Sequence, residues 1–234
     1  PTTLLSMVDA SVGGKTGIDL GSLKNQIGII KEPQKVVIDV QWLGTLPEDE
    51  IRSGFAEMLK HGLIAKPKYW DELKSLKSLS IDTLISYIKP SVEIKTKVVL
   101  KDPQEMGLRK ILNFGHTLGH AIESYFLVQK NKEKLLHGEA IVIGMVLEAY
   151  LSTQCSGLEY AAALDIKNTF ARFYPKVVIR DNDIEGILSL LRHDKKNKGG
   201  QINFVLLTSI GEAVTDVKVS KELFKKAFDF YSNA

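Results

Sequence analysis

The chain has 234 residues, 44% hydrophobic and 25% charged, with a net charge of only +3. This is an ordinary globular composition, and its scattered lysines do not form the concentrated basic footprint of a nucleic-acid binder. No apolar run is long enough to span a bilayer as a helix, and the lone Cys155 excludes an internal disulfide framework and suits a reducing cytoplasm.

In chain order, residues 1–46 read as loops and strands punctuated by Gly13, Gly14, Gly17, Gly21 and Gly28. The β-branched run Lys35-Val36-Val37-Ile38-Asp39-Val40, after Pro33, predicts a buried strand. These are too few strands to close a sheet, so the chain is expected to begin partway through a domain. After Pro47 the pattern turns helical. Proline and the acids Glu48, Asp49 and Glu50 stand where a helix start favours them, and Ile51, Phe55, Met58, Leu59 and Leu63 share one side. Further helices are predicted at about 80–100, 114–128, 138–155, 159–173 and 182–192. A hairpin is expected from 201–208 and 212–217 about Ser209-Ile210-Gly211, then a last helix at about 219–231.

The densest chemical signal is Asn113-Phe114-Gly115-His116-Thr117-Leu118-Gly119-His120-Ala121-Ile122-Glu123. A helix projects His116 and His120, four residues apart, from one face. His137, in Leu136-His137-Gly138-Glu139, opens the next helical run. Glu57 precedes Lys60 and His61 by one turn. Three of the five histidines fall within 22 residues, which makes a metal site a better account than three unrelated surface or core histidines. A catalytic zinc takes three such nitrogen and oxygen ligands and keeps an open position. The residues permit Glu57 with two of His116, His120 and His137. His61 and His193, taken alone, read as surface or satisfied core residues. His-Glu-x-x-His is absent, and so is any cysteine cluster, which sets aside the zinc-protease and zinc-finger patterns.

Asp9-Ala10-Ser11-Val12-Gly13-Gly14-Lys15-Thr16 contains Gly-Lys-Thr. A phosphate-binding P-loop needs glycine where Asp9 stands, and a carboxylate there would repel phosphate. No Gly-x-Gly-x-x-Gly fingerprint appears either.

Six stretches together resemble the 3-dehydroquinate synthase family, in order and at family-like spacing. They are Pro1-Thr2-Thr3-Leu4-Leu5, the Asp9 to Thr16 run, Lys24-Asn25-Gln26-Ile27-Gly28, Gly54-Phe55-Ala56-Glu57, the Asn113 to Glu123 run, and the segment from Leu136 to Ala140. The resemblance covers nearly the whole chain and is weakest at 65–90 and 156–190. It implies a multidomain α/β plus α protein. Residues 1–46 would be the tail end of a Rossmann-like NAD-binding domain. Residues 47–234 would form a mainly α-helical metal- and substrate-binding domain with a small late β-hairpin. On this pattern the phosphate-binding glycine turn, and an arginine lent by a neighbouring subunit, would lie upstream of Pro1, and residues 1–234 alone are expected to be inactive.

By position, the resemblance assigns Glu57, His116 and His137 as ligands of zinc or cobalt, with His120 facing substrate. Lys60, Lys95, Arg109, Asn113 and one of Lys195 and Lys196 match substrate-contacting positions. Thr2, Thr3, Asp9, Lys15, Lys24, Asn25 and the turn Trp42-Leu43-Gly44-Thr45 match positions near NAD or its junction with substrate. The implied reaction converts a seven-carbon keto-acid phosphate to 3-dehydroquinate and phosphate, with NAD recycled within each turnover. A cytoplasmic homodimer acting on a small molecule, with no membrane or nucleic-acid partner, is the corresponding expectation. Another sugar-phosphate cyclase and a glycerol-dehydrogenase-like metal alcohol dehydrogenase are the enzymatic rivals, and a helical binding module is the non-enzymatic one.

Overall fold

A computed structural model of the chain describes residues 1–20, 23–191 and 202–233, with backbone only for 19–20 and 23–26. Lys195 and Lys196 lie outside the described residues, as do the side chains of Lys24 and Asn25.

The first 46 residues differ from expectation. The strand predicted at Lys35–Val40 does not form: 35–39 run without a ladder partner, and Val37 is 66% exposed. An extended segment becomes a strand only when another backbone lies beside it, and none does among the described residues. Val40 instead opens a 3₁₀ helix, Val40–Thr45, whose preceding Asp39 accepts the Gln41 N–H at 3.0 Å. Ser6–Ala10 forms a π-helical turn, and β1 (Ile18–Leu20) pairs antiparallel with β2 (Leu23–Ile27).

From Pro47 the predicted helices appear. They are α1 (Glu48–Ala65), α3 (Ile81–Lys101), α4 (His116–Val128), α5 (His137–Cys155), α6 (Tyr160–Phe173), α7 (Asp181–Leu191) and α8 (Lys221–Ser232). Between α1 and α3 lies α2 (Pro67–Lys74), too short for its period to show in the sequence. Lys66 leaves the helical region (φ −152°, ψ 89°), where the following proline disfavours helical backbone, and so ends α1 before Pro67 starts α2. The late hairpin is β3 (Asn203–Ser209) and β4 (Glu212–Lys218), antiparallel. Its tip is tied to α1 by the Gly211 N–H donating to the Leu63 carbonyl at 2.7 Å.

Two apolar clusters share α5 as their wall. Ile141, Val142, Met145, Val146 and Ala149 face the first, with α1, α2, α3 and α6. Ala140, Ile143, Leu147 and Leu151 face the second, with α4, α7 and α8. A helix apolar all round is buried all round, and α5 follows that rule. β3 alternates in the same way, sending Val205 and Leu207 to the first cluster and Phe204 and Leu206 to the second. No helix among the described residues is long and apolar enough to cross a membrane.

Candidate active site

The site forms where α1, α4 and α5 meet. A 3₁₀ helix, Leu108–Asn113, leads through Phe114 to Gly115 at φ +79°, and α4 starts at His116. Glycine is required at 115 twice over. The left-handed φ disfavours a side chain, and a Cβ there would stand 2.2 Å from Met145 Cγ. Gly115 also has no side chain to cap α4. Glu148, fully buried on α5, does so instead: its carboxylate accepts the Gly115 N–H at 2.6 Å and the Leu118 N–H at 3.1 Å. Burial pushes this carboxyl up to about 8 even though the backbone donors favour its charged form. Glu148 was not anticipated. The available signal was a lone acid inside an otherwise apolar helix.

Both candidate ligand histidines have their tautomer settled by a neighbour. His116 Nδ1 lies 3.1 Å from the Phe114 carbonyl, and His137 Nδ1 lies 3.2 Å from a Glu123 carboxylate oxygen. Both partners only accept, so in the neutral rings the proton sits on Nδ1 and the Nε2 lone pair is free. Those Nε2 atoms lie 3.6 Å (His116) and 4.0 Å (His137) from one oxygen, Glu57 Oε1. Glu57 is fully buried and Oε1 has no hydrogen-bond donor, while Oε2 is ion-paired with Lys60. A buried carboxylate oxygen left without a donor, facing two imidazole lone pairs, fits a divalent metal. Ligands about 2.0–2.2 Å from tetrahedral zinc stand roughly 3.3–3.6 Å apart, near these separations. His116 is held well below the usual histidine range by burial, then by Lys60 and His120, which favours the neutral ligand form.

His120 belongs to the same cluster. Its ring centroid is 5.1 Å from that of His116 and 5.8 Å from that of His137, and ligand atoms of the three rings come within 4.8 Å of one another. Proximity alone therefore leaves an all-histidine set open beside the set containing Glu57. The orphaned Oε1 favours Glu57.

A second cluster joins the first 46 residues to the helices. Lys95 Nζ donates to the Asp9 carboxylate at 2.7 Å and to the Asp9 carbonyl at 2.6 Å. Burial alone would raise the Asp9 carboxyl, but Lys95 and Lys60 overcome it and hold Asp9 well below the usual carboxylate range. His61 is buried, with Nδ1 2.8 Å from Ser91 Oγ and Nε2 3.9 Å from Asp9. Burial first, and then Lys60, holds it down to about 3. Asp9, Glu57 and His61 also lie within metal-binding distance of one another, but Lys60 and Lys95 already neutralise that group.

A cavity of about 390 Å³ opens beside the histidines, reached by Asn113, His116, His120 and Glu105 and floored by residues of β3 and β4. Asn113 Nδ2 donates to Glu105 at 2.8 Å, and Lys15 pairs with the same carboxylate. Glu105 has φ +59°, an uncommon conformation for a residue with a side chain, and no spacing in the sequence marked it.

Other predicted residues lie apart from the cavity. Arg109 is 2% exposed and its guanidinium donates to the carbonyls of Pro103 (2.8 Å) and Gly13 (2.7 Å). Gly13, at φ +100°, leaves room for it: a Cβ there would be 2.5 Å from the guanidinium. Thr3 is engaged with Ser6. Thr2, Trp42, Gly44 and Thr45 are exposed, and Leu43 is buried in the first core cluster.

Two family profiles, described as 3-dehydroquinate synthase N-terminal and C-terminal, match residues 1–53 and 54–197. The 3-dehydroquinate synthase of Parabacteroides distasonis is 41% identical over 99% of this chain and 65% of its own length. That of Bordetella pertussis is 42% identical over 92% of this chain and 60% of its own length. The chain thus spans under two thirds of these relatives. Among solved structures, 2-epi-5-epi-valiolone synthase from Streptomyces hygroscopicus subsp. jinggangensis, with NAD+ and Zn2+ bound, superposes with a TM-score of 0.86 at 25% identity, covering 99% of this chain and 65% of that one. A 2-deoxy-scyllo-inosose synthase complexed with carbaglucose-6-phosphate, NAD+ and Co2+ superposes with a TM-score of 0.84 at 26% identity, covering 97% and 64%. With the C-terminal profile spanning the whole histidine cluster and relatives above 40% identity along nearly its full length, the chain belongs to the 3-dehydroquinate synthase family.

Proposed function

We propose that the chain carries the metal- and substrate-binding part of an enzyme that converts 3-deoxy-D-arabino-heptulosonate 7-phosphate to 3-dehydroquinate and inorganic phosphate, with NAD and zinc or cobalt as cofactors. In this proposal residues 1–46 lie on the NAD side of the site and 47–234 form the metal- and substrate-binding unit. The observation that carries the proposal is the convergence of His116 Nε2 and His137 Nε2 on the donor-free Glu57 Oε1, beside a cavity and several cations.

Glu57, His116 and His137 would hold the metal, which when bound supplies Lewis-acid stabilisation of a substrate alkoxide. NAD, when bound, supplies reversible removal of a hydride from a ring alcohol. The residues described here do not by themselves build a dinucleotide cradle: Thr3 is tied to Ser6, Asp9 to Lys95, and the Trp42 turn is exposed. What the chain's own side chains do is bind and move protons. His120 faces the cavity one turn beyond His116 and handles a proton there. Lys15 and Asn113 exchange Glu105 for the anionic groups of the substrate, since both already hold a carboxylate oxygen at the cavity. Lys60 and Lys95 make the deep end of the site positive and favour a bound carboxylate or alkoxide. Arg109 acts from behind, fixing the Gly13 turn beside Lys15.

The known structures with this fold include other cyclases, but at 25–26% identity, against 41–42% for the dehydroquinate synthases. Because residues 1–234 alone are expected to be inactive, the test is to supply the keto-acid phosphate and NAD to the complete enzyme and measure phosphate, carbocyclic product and net NADH. Phosphate release with no net NADH is the expected result. Net NADH without phosphate would show a metal alcohol dehydrogenase instead.

A further inference from the structure

We infer that Glu123 is a positioning residue for the metal, fixing the tautomer of His137 and aiming its Nε2 at Glu57; this rests on His137 being a ligand. His116, His120 and Glu123 are spaced by four and three residues, so α4 presents all three from one face toward the N-terminus of α5. His116 obtains its orientation cheaply, from the Phe114 carbonyl two residues back. His137 is the first residue of α5 and obtains its orientation from a side chain on another helix, with Nδ1 3.2 Å from the Glu123 carboxylate.

Two consequences follow from that one contact. A carboxylate only accepts, so it holds the proton on Nδ1 and leaves the lone pair on Nε2, the atom 4.0 Å from Glu57 Oε1. Its negative charge also makes the imidazole a stronger donor to a cation. Partners of this kind behind a metal-binding histidine change affinity by about 10–100-fold when removed. The Glu123 side chain is 12% exposed and that of His137 25%, so water competes weakly for this bond.

Nitrogen-detected NMR of the metal-free chain should find His137 as the Nδ1–H tautomer, and an Nε2–H ring there would overturn the inference without any mutation. Zinc affinity, measured by chelator competition, should fall about 10–100-fold in Glu123→Ala. Most of it should return in Glu123→Gln, whose amide oxygen can still accept from Nδ1. The cycle with His137→Ala separates the layers. If His137→Ala leaves zinc affinity unchanged, the ligand assignment fails and this inference with it. If His137→Ala weakens binding but Glu123→Ala does not, only the role of Glu123 fails. The inference stands if Glu123→Ala weakens binding alone and adds nothing in the His137→Ala background. An undiminished further loss there would show that Glu123 acts by another route.

Discussion

One ammonium group, Lys95 Nζ, holds both the carboxylate and the backbone carbonyl of Asp9, at 2.7 and 2.6 Å, and so joins the N-terminal π-turn to the middle of α3. Removing Asp9 leaves Lys95 facing the like charge of buried Lys60, and removing Lys95 leaves Asp9 with Lys60 as its remaining counter-charge. Lys95→Met is expected to destabilise the chain by about 2–3 kcal/mol, below the roughly 3–5 kcal/mol of a fully buried pair because Asp9 is a quarter exposed. Denaturant unfolding of Lys95→Met, Asp9→Asn and the double variant checks this; simple additivity would mean that the pair is not coupled.

Glu57→Ala, His116→Ala and His137→Ala should each lose most of the bound zinc, read as metal per chain after gel filtration. Full retention in any one removes that residue from the ligand set. Should His120→Ala lose as much, the all-histidine cluster is the true site.

His120→Ala is expected to keep its metal and lose turnover by at least about 100-fold in the complete enzyme, the usual scale for a lost general acid or base. A loss of rate matched by the loss of metal would end the proton-transfer role.

Glu148→Gln tests the cap on α4. Above about pH 8, where Glu148 is ionised, two carboxylate oxygens accept from Gly115 and Leu118, and an amide can replace only one, setting its NH2 against the other donor. A cost of about 2–3 kcal/mol is expected, with the lost backbone bond and the desolvated donor as its causes. An unchanged thermal midpoint would show that α4 needs no such cap.

His61 should shape the acid limb of stability. Burial holds its folded form down to about 3, whereas the unfolded chain takes up a proton below about 6.5. Its neutral form therefore carries no penalty above about pH 6.5, and stability falls as pH drops toward 3, by up to about 1.4 kcal/mol per unit. His61→Asn, able to keep the Ser91 contact, should flatten that limb, seen in urea midpoints between about pH 6 and pH 4. An unflattened limb would place acid sensitivity elsewhere.

The sequence by itself determined most of the helices after Pro47, because apolar spacing, the Pro47 start and the late Gly211 turn are local signals. It also determined that His116 and His120 share a helical face, since that follows from four-residue spacing alone. It misled at Lys35–Val40, where a β-branched run is strand-like only if another backbone lies alongside. Tertiary structure decided the rest. Glu57 meets His116 and His137 because α1 and α4 both pack on α5, bringing together residues 59 and 80 positions apart in the chain. The Glu123 partner of His137 Nδ1, the buried Glu148 cap and the Glu105 contact with Lys15 and Asn113 are likewise pairings between distant or irregular segments. No periodicity encodes them, because hydrogen bonds between elements depend on how two faces are docked and not on the pattern within either one.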